Sequence, residues 1–285
     1  MSDVDSLPYD QGVDSLRYNQ VSFKAAHNST DRDETLTQQL GWDAAQPWQA
    51  GCRGLELDVS QSESENKWSV GHDDGYSSSA PALSEYLGEL REWAERNPGH
   101  DVVTLYLDLK KVQPGGAFAS GLDEYVSAYL ICPVYPPAEL MGDQVSVRDG
   151  ALVHGWPTLG QLRGKFIIVL SGDDEAKELY AADDPRQRLC FADKKCEPDE
   201  VPQSSTRVFF NYHLYQDDKS KWCPVFQGQV ANPASIVRGY VINDGGFWTN
   251  ALSCGCNLLT TDKIRNYSWA TVSSSAPFAQ LGVFG

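Results

Sequence analysis

The sequence predicts an α/β chain folded as one distorted TIM-type (β/α)8 barrel. Three observations carry this. Eight short runs rich in β-branched and aromatic residues recur along the 285 residues. Several are too continuously apolar for a half-exposed sheet, which points to strands covered on both faces, as in parallel sheets. Helical patterns lie between many of them, and such alternation over about 250 residues reads as a barrel. A doubly wound open sheet is the alternative, but no GxGxxG turn follows the first run.

The runs, in order, are VSFKAAH (21–27), GLELDVS (54–60), WSVGH (68–72), DVVTLYLDL (101–109), KFIIVLS (165–171), RVFFNYHLY (207–215), IVRGYVIND (236–244) and CNLLTTD (256–262). TLTQQLGWDAAQPWQAG follows the first and reads as helical. SEYLGELREWAERNPG places Tyr86, Leu87, Leu90, Trp93 and Ala94 on one helical stripe and stops at Asn97-Pro98-Gly99. GLDEYVSAYL follows the fourth run, and TLGQLRG leads into the fifth. Only seven residues, 61–67, separate the second and third runs, which leaves no room for a crossover helix and predicts a distortion there. Residues 1–18 read as an N-terminal arm and 19–285 as one barrel domain. Residues 112–160 and 172–206 read as long, partly irregular connections.

Composition narrows the function. A hydrophobic content of 41% over this length supports a full core. No stretch of 18 or more apolar residues occurs, so no segment is long and apolar enough for a spanning helix. The net charge of -16 argues against a nucleic-acid reader, whose binding face carries the opposite sign. It favours cation uptake wherever carboxylates converge. Seven cysteines, none at zinc-finger spacing, exceed what a cytosolic enzyme needs; they lean the expectation toward a secreted or extracytoplasmic chain. CFADKKC (190–196) is the best local candidate for a disulfide, and Cys52 suits a buried thiol.

The chemistry-bearing residues fall at the ends of strand-like runs: His27 and Asn28, Glu56 and Asp58, His72, Asp108, then His213, Asp244 and Asp262. In a barrel these C-terminal strand ends form the active face. Glu56 and Asp58 are two apart on a strand and share one face. Like charges that close raise each other's pKa unless a cation intervenes. Asn28 and Asp108 on neighbouring strands complete an oxygen-rich cage suited to Ca2+, with Mg2+ second, rather than to zinc. The two histidines are placed to bind a phosphate or move protons. Asp108 has an equal claim as a partner of Lys110 or Lys111. His213 reads as a histidine packed among aromatics, and Asp244 and Asp262 as backbone hydrogen-bond partners at strand ends. Trp248 is a weaker candidate for stacking on a sugar ring or dipping into lipid.

On these residues the chain resembles the phosphatidylinositol-specific phospholipase C superfamily. HNS after the first run, RGLELDV and VGH resemble its catalytic half. WPTLGQLRGKFIIVLSG (156–172) is similar to the fifth-strand segment of its calcium-dependent microbial branch, and ALSCGCNLLTTD (251–262) to the closing segment. The similarity touches roughly residues 18 to 265. The closing segment is shared with glycerophosphodiester phosphodiesterases and is the less specific part. The resemblance implies that Asn28, Glu56, Asp58 and Asp108 bind calcium, although the family often has a glutamate where Asp108 stands. It implies that His27 and His72 flank the phosphate. The calcium-independent branch has an aspartate after the first histidine and an arginine in place of the metal; Asn28 after His27 favours the calcium branch.

The implied reaction is attack of the inositol 2-hydroxyl on phosphorus. It gives a cyclic inositol phosphate and diacylglycerol, with Glu56 as base, His27 stabilising the pentacoordinate state, and His72 stabilising it or protonating the leaving alcohol. Eukaryotic members place lysines at the end of the fifth strand for ring phosphates. Val169-Leu170-Ser171-Gly172 has none, which favours phosphatidylinositol over its polyphosphorylated forms. The expected partners are a phospholipid or phosphodiester small molecule and a transient membrane surface, with the protein a monomer. Competing readings keep the site for a glycerophosphodiester, sphingomyelin or a soluble sugar-phosphate diester, or make the barrel an inactive lipid- or glycan-binding module.

Overall fold

The computed structural model describes residues 13–72, 75–113, 118–182, 184–201, 204, 206–273 and 277–281. The sheet starts with β1 (Val21–Ala26), β2 (Gly54–Gln61), β4 (Val103–Lys111) and β5 (Phe166–Gly172), paired parallel in that order. It continues through β6 (Phe191–Ala192) and β7 (Lys194–Cys196) to β8 (Phe209–His213), β9 (Ile236–Tyr240) and β10 (Leu258–Thr261), which returns to β1. β6 pairs only with β5 and β7 only with β8. The two are one strand broken at Asp193, so nine parallel segments make a nearly closed eight-position barrel. The predicted barrel holds.

Two strand expectations change. The third run, β3 (Trp68–Val70), is not a barrel strand: it pairs antiparallel with β2 as a hairpin, Val59 opposite Val70. The short gap before it allows only this turn. The missing barrel position is filled by β6 and β7, inside the stretch read as an irregular connection. Its CFADKKC segment is therefore strand and not a disulfide loop. Six extended residues span roughly 20 Å, far beyond the reach of a bridge. Cys190 and Cys196 are free, and the disulfide joins Cys223 to Cys254 instead.

Helices cover the outside. The predicted second helix is α2 (Leu83–Arg96), with Leu83, Leu87, Leu90 and Trp93 buried, and the next is α3 (Phe118–Leu130). The segment after β1 forms only α1 (Leu36–Leu40), because Gly41 turns the chain and Pro47 blocks extension. α4 (Pro137–Met141) and α5 (Val147–His154) fill the long connection before β5. α6 (Asp174–Ala182), α7 (Lys219–Val230) and α8 (Gly245–Ser253) follow β5, β8 and β9. A last strand, β11 (Phe278–Gln280), pairs antiparallel with β1.

Period-two alternation sorts the side chains. On β2, Leu55, Leu57 and Val59 join α2 and α3 in one outer core. Glu56 and Asp58, one residue out of phase, face the barrel interior. The interior floor is apolar: Phe23, Tyr106, Val169, Phe209, Ile236 and Leu258 pack there with Tyr18 and Trp156. Of the arm, the described part packs against the barrel: Leu159 N–H donates to Leu16 O, and Asp14 pairs with Arg163. The polar residues lie above this floor, at the C-terminal ends of the strands.

Candidate active site

His27 is the first residue after β1, and Asp262 the first after β10, its parallel neighbour. Ala26 and Thr261 are register partners, so the next residues meet: His27 Nδ1 lies 3.0 Å from Asp262 Oδ1. Asp262 also accepts from Asn243 Nδ2 at 2.5 Å and from Arg32 Nη2 at 3.0 Å. Burial works to raise the Asp262 pKa, but the bonds from His27 and Asn243 and the charge of Arg32 hold it below the usual range. An ionised Asp262 can only accept, so His27 Nδ1 carries the hydrogen of that bond and Nε2 is left out of it. That Nε2 is 3.9 Å from Glu56 Oε2.

Asn28 adopts the left-handed conformation, φ 45° and ψ 63°. Asparagine tolerates this region better than other non-glycine residues. The twist turns the Asn28 backbone N–H onto Glu56 Oε2 at 3.1 Å. The other oxygen, Oε1, meets Arg238 Nη2 at 2.8 Å. Glu56 is thus gripped on both sides. Arg238, on β9, is fully buried and lies over the Tyr106 ring at 4.4 Å. It donates to Thr260 Oγ1 and Asn211 Oδ1, each at 3.2 Å. Burial works against its charge and Glu56 outweighs it, so its pKa is raised.

Asp58 and Asp108 are register partners on β2 and β4. Lys110 sits across them, its Nζ 3.1 Å from Asp58 Oδ1 and 2.5 Å from Asp108 Oδ2. Of its two claims, Asp108 realises the pairing with Lys110. Gly172 at the end of β5 has φ +82°, and a Cβ there would strike the Asp108 carboxylate and the β4 backbone. Asp58 Oδ2 is buried with no partner, and the buried Oδ1 has only the Lys110 ammonium. Burial pushes the Asp58 carboxyl up to about 6; Lys110 counters this, while Asp108 and Glu56 add to it.

The unpartnered buried Asp58 Oδ2 and the all-oxygen donor set of Asn28, Glu56, Asp58 and Asp108 fit a hard cation such as calcium. The cage predicted from the sequence is not ready-made. Among the described residues no three His, Cys, Asp or Glu side chains converge as a metal cluster. Arg238 and Lys110 hold the carboxylates to separate partners.

His72 stands apart from this cluster. It follows β3 on the exposed rim, one residue after Gly71, whose N–H donates to Asp58 O. Among the described residues it forms no hydrogen bond or ion pair. His213 stacks between Tyr240 at 4.9 Å and Tyr215 at 4.6 Å, the aromatic packing expected of it. Tyr240 also stacks on His27 at 5.8 Å, which makes one aromatic wall of the cleft. Asp244 caps α8 by accepting from Phe247 N–H, as a backbone partner should. Asp262 departs from expectation, since its partners include His27, Asn243 and Arg32 side chains. Trp248 is buried and donates to Thr271 O, so it reaches neither sugar nor lipid.

Arg238, Lys110 and Arg32 escaped sequence reasoning as site residues. Arg238 carried a signal: a lone arginine inside the apolar run IVRGYV needs a buried partner.

The family model described as phosphoinositide phospholipase C, Ca2+-dependent, matches residues 72–206, just under half of the chain. That stretch contains His72 and Asp108 and begins after His27, Asn28, Glu56 and Asp58. No curated protein matches the chain. Among solved structures, a calcium-dependent phosphoinositol-specific phospholipase C from Pseudomonas sp., in a myoinositol complex, is similar over 97% of this chain and 100% of that one. Its TM-score is 0.77 at 19% identity. An apo crystal form covers 98% and 99%, with a TM-score of 0.75 and 19% identity. A Ca2+-dependent phosphatidylinositol-specific phospholipase C from Streptomyces antibioticus covers 87% and 95%, with a TM-score of 0.68 and 17% identity. Identities this low establish the shared fold. The chain thus resembles the calcium-dependent branch in sequence over 72–206 and in fold nearly throughout.

Proposed function

We propose that this chain is a calcium-dependent phosphodiesterase of the phospholipase C type, acting on phosphatidylinositol or a related inositol phosphodiester. One observation carries the reading: an imidazole oriented by a carboxylate, His27 on Asp262, stands on the same strand-end face as buried acids that lack a full complement of partners. That pairing of a proton carrier with a cation site suits attack of a neighbouring hydroxyl on a phosphodiester. The family match and the fold similarity support the same class of reaction.

Calcium, when bound by Asn28, Glu56, Asp58 and Asp108, would lower the pKa of the attacking hydroxyl and neutralise phosphoryl charge. The chain's own groups do the rest. The sequence reading gives the base role to Glu56. Both Glu56 oxygens are engaged by Arg238 and the Asn28 N–H, however, whereas His27 Nε2 is open with Asp262 behind it. We therefore assign proton abstraction to His27. Glu56 holds Arg238, whose guanidinium lies in the polar layer beneath the reacting groups. His72, on the rim, would meet the leaving alcohol. The Cys223–Cys254 disulfide supports a secreted or extracytoplasmic setting.

The test is incubation with phosphatidylinositol, with and without chelator, followed by phosphorus NMR. A cyclic phosphate signal that vanishes with chelator is expected. Turnover of glycerophosphodiesters, sphingomyelin or sugar-phosphate diesters alone would move the substrate. Binding without turnover of any diester would leave a binding module. His27→Ala should lower the rate by about 10²–10³-fold, and full activity in that variant would overturn the mechanism.

A further inference from the structure

We propose that Lys110 is a tethered cation that occupies the Asp58–Asp108 pair and competes with calcium for it, so that this side chain sets the metal affinity of the site. The inference rests on the calcium-dependent reading above and concerns its regulation.

Three observations carry it. The Lys110 ammonium lies 3.1 Å from Asp58 Oδ1 and 2.5 Å from Asp108 Oδ2, bridging two of the four candidate ligands. The Asp58 carboxylate is fully buried and its Oδ2 has no partner, so this ammonium on Oδ1 is its main compensation. The backbone is built to place it. β2 and β4 run in register from Gly54 opposite Thr104 to Val59 opposite Leu109, and then Ser60 pairs with Lys111. Lys110 is the residue skipped by that irregularity. Bulges of this kind re-aim a side chain and recur beside active sites. Its neighbour Lys111 goes the other way, to Glu63 at 3.8 Å on the surface.

A divalent ion and an ammonium repel within one shared contact distance, and two carboxylates cannot serve both. The ammonium must leave before Asp58 and Asp108 can both ligate calcium. Its stem permits this, since the Lys110 side chain is 21% exposed and flexible, whereas Arg238 is locked in the interior.

The experiment is calorimetric titration of the full chain with calcium chloride alone. Lys110→Met should bind calcium at least about tenfold more tightly than the unaltered protein, by removal of a like charge at contact distance. Lys110→Arg should stay weak. Lys111→Met, which removes the same net charge from the surface, should change affinity by less than about threefold. Equal or weaker calcium binding by Lys110→Met overturns the proposal, as does an equal gain in Lys111→Met. If Lys110→Met does not fold by circular dichroism, Lys110→Gln takes its place. A further check needs no variant: calcium should move the Lys110 ammonium resonance in the unaltered protein, and an unmoved signal at saturation also overturns it. Chelator-sensitive turnover of phosphatidylinositol is a separate readout. If turnover persists while Lys110→Met shows no gain, the competition fails and the function stands.

Discussion

His27 illustrates how single residues gain meaning from partners. Alone, a histidine at a strand end is an ordinary surface group. Asp262 fixes its ring, and Asn243 and Arg32 fix Asp262 in turn. Replacing Asp262 with Asn removes the charge and permits the wrong tautomer. If His27 is the base, kcat for the diester should fall by roughly 10²–10⁴-fold with KM little changed. A loss below tenfold would return the base role to Glu56. Asn28, Glu56 and Asp58 were legible because HN and E-x-D are local patterns at the ends of strand runs. The pairing of Lys110 with Asp108 on its own strand was legible too; its contact with Asp58 and that of Arg238 with Glu56 were not, because another strand supplies those carboxylates.

At the scale of elements, the strand runs were read correctly wherever side-chain periodicity and length agreed. β3 reads as a barrel strand from its residues, although the gap before it, too short for a crossover, is the local mark of a hairpin partner. β6 and β7 were missed for the opposite reason, since CFADKKC is charged and short. β1 carries a further anomaly, Lys24, buried on the strand with its Nζ donating to Ile264 O at 2.7 Å and Trp48 O at 3.3 Å. Burial drives its pKa from the ordinary 10.5 down to about 8, against the opposing pull of Cys52 and Glu34. Below pH 8 both folded and unfolded chains are protonated, and the buried charge costs about 3 kcal/mol. Between about 8 and 10.5 the unfolded chain binds more protons, so stability rises with pH. Urea unfolding of the unaltered protein and Lys24→Met at pH 7.5, 9 and 10.5 should show the former gaining on the latter. A constant difference across that range would disprove it.

Over the whole molecule, the Cys223–Cys254 bridge ties α7 to the end of α8, a separation of 31 residues. Closing such a loop in the unfolded chain stabilises by about 3–4 kcal/mol on the chain-entropy account. The double variant Cys223→Ala/Cys254→Ala should unfold at correspondingly lower denaturant under non-reducing conditions. An unchanged midpoint would mean that the bridge contributes no net stability. The net charge of -16 finds local expression in the site. Glu56, Asp58, Asp108 and Asp262 crowd one rim, and Arg238, Lys110 and Arg32 are spent neutralising them.

The sequence by itself determined the barrel class, the strand ends that bear chemistry, and the pairing of His27-Asn28 with Glu56-x-Asp58. The barrel class rests on the alternation of strand and helix patterns along the chain, and each site pair on adjacency or period-two spacing at the end of a strand run. Only the tertiary structure decided which strand closes the barrel, that Asp262 orients His27, and that Lys110 and Arg238 already hold the carboxylates. Those facts depend on register between strands remote in sequence, where a shift of one residue would turn each charge to the opposite face.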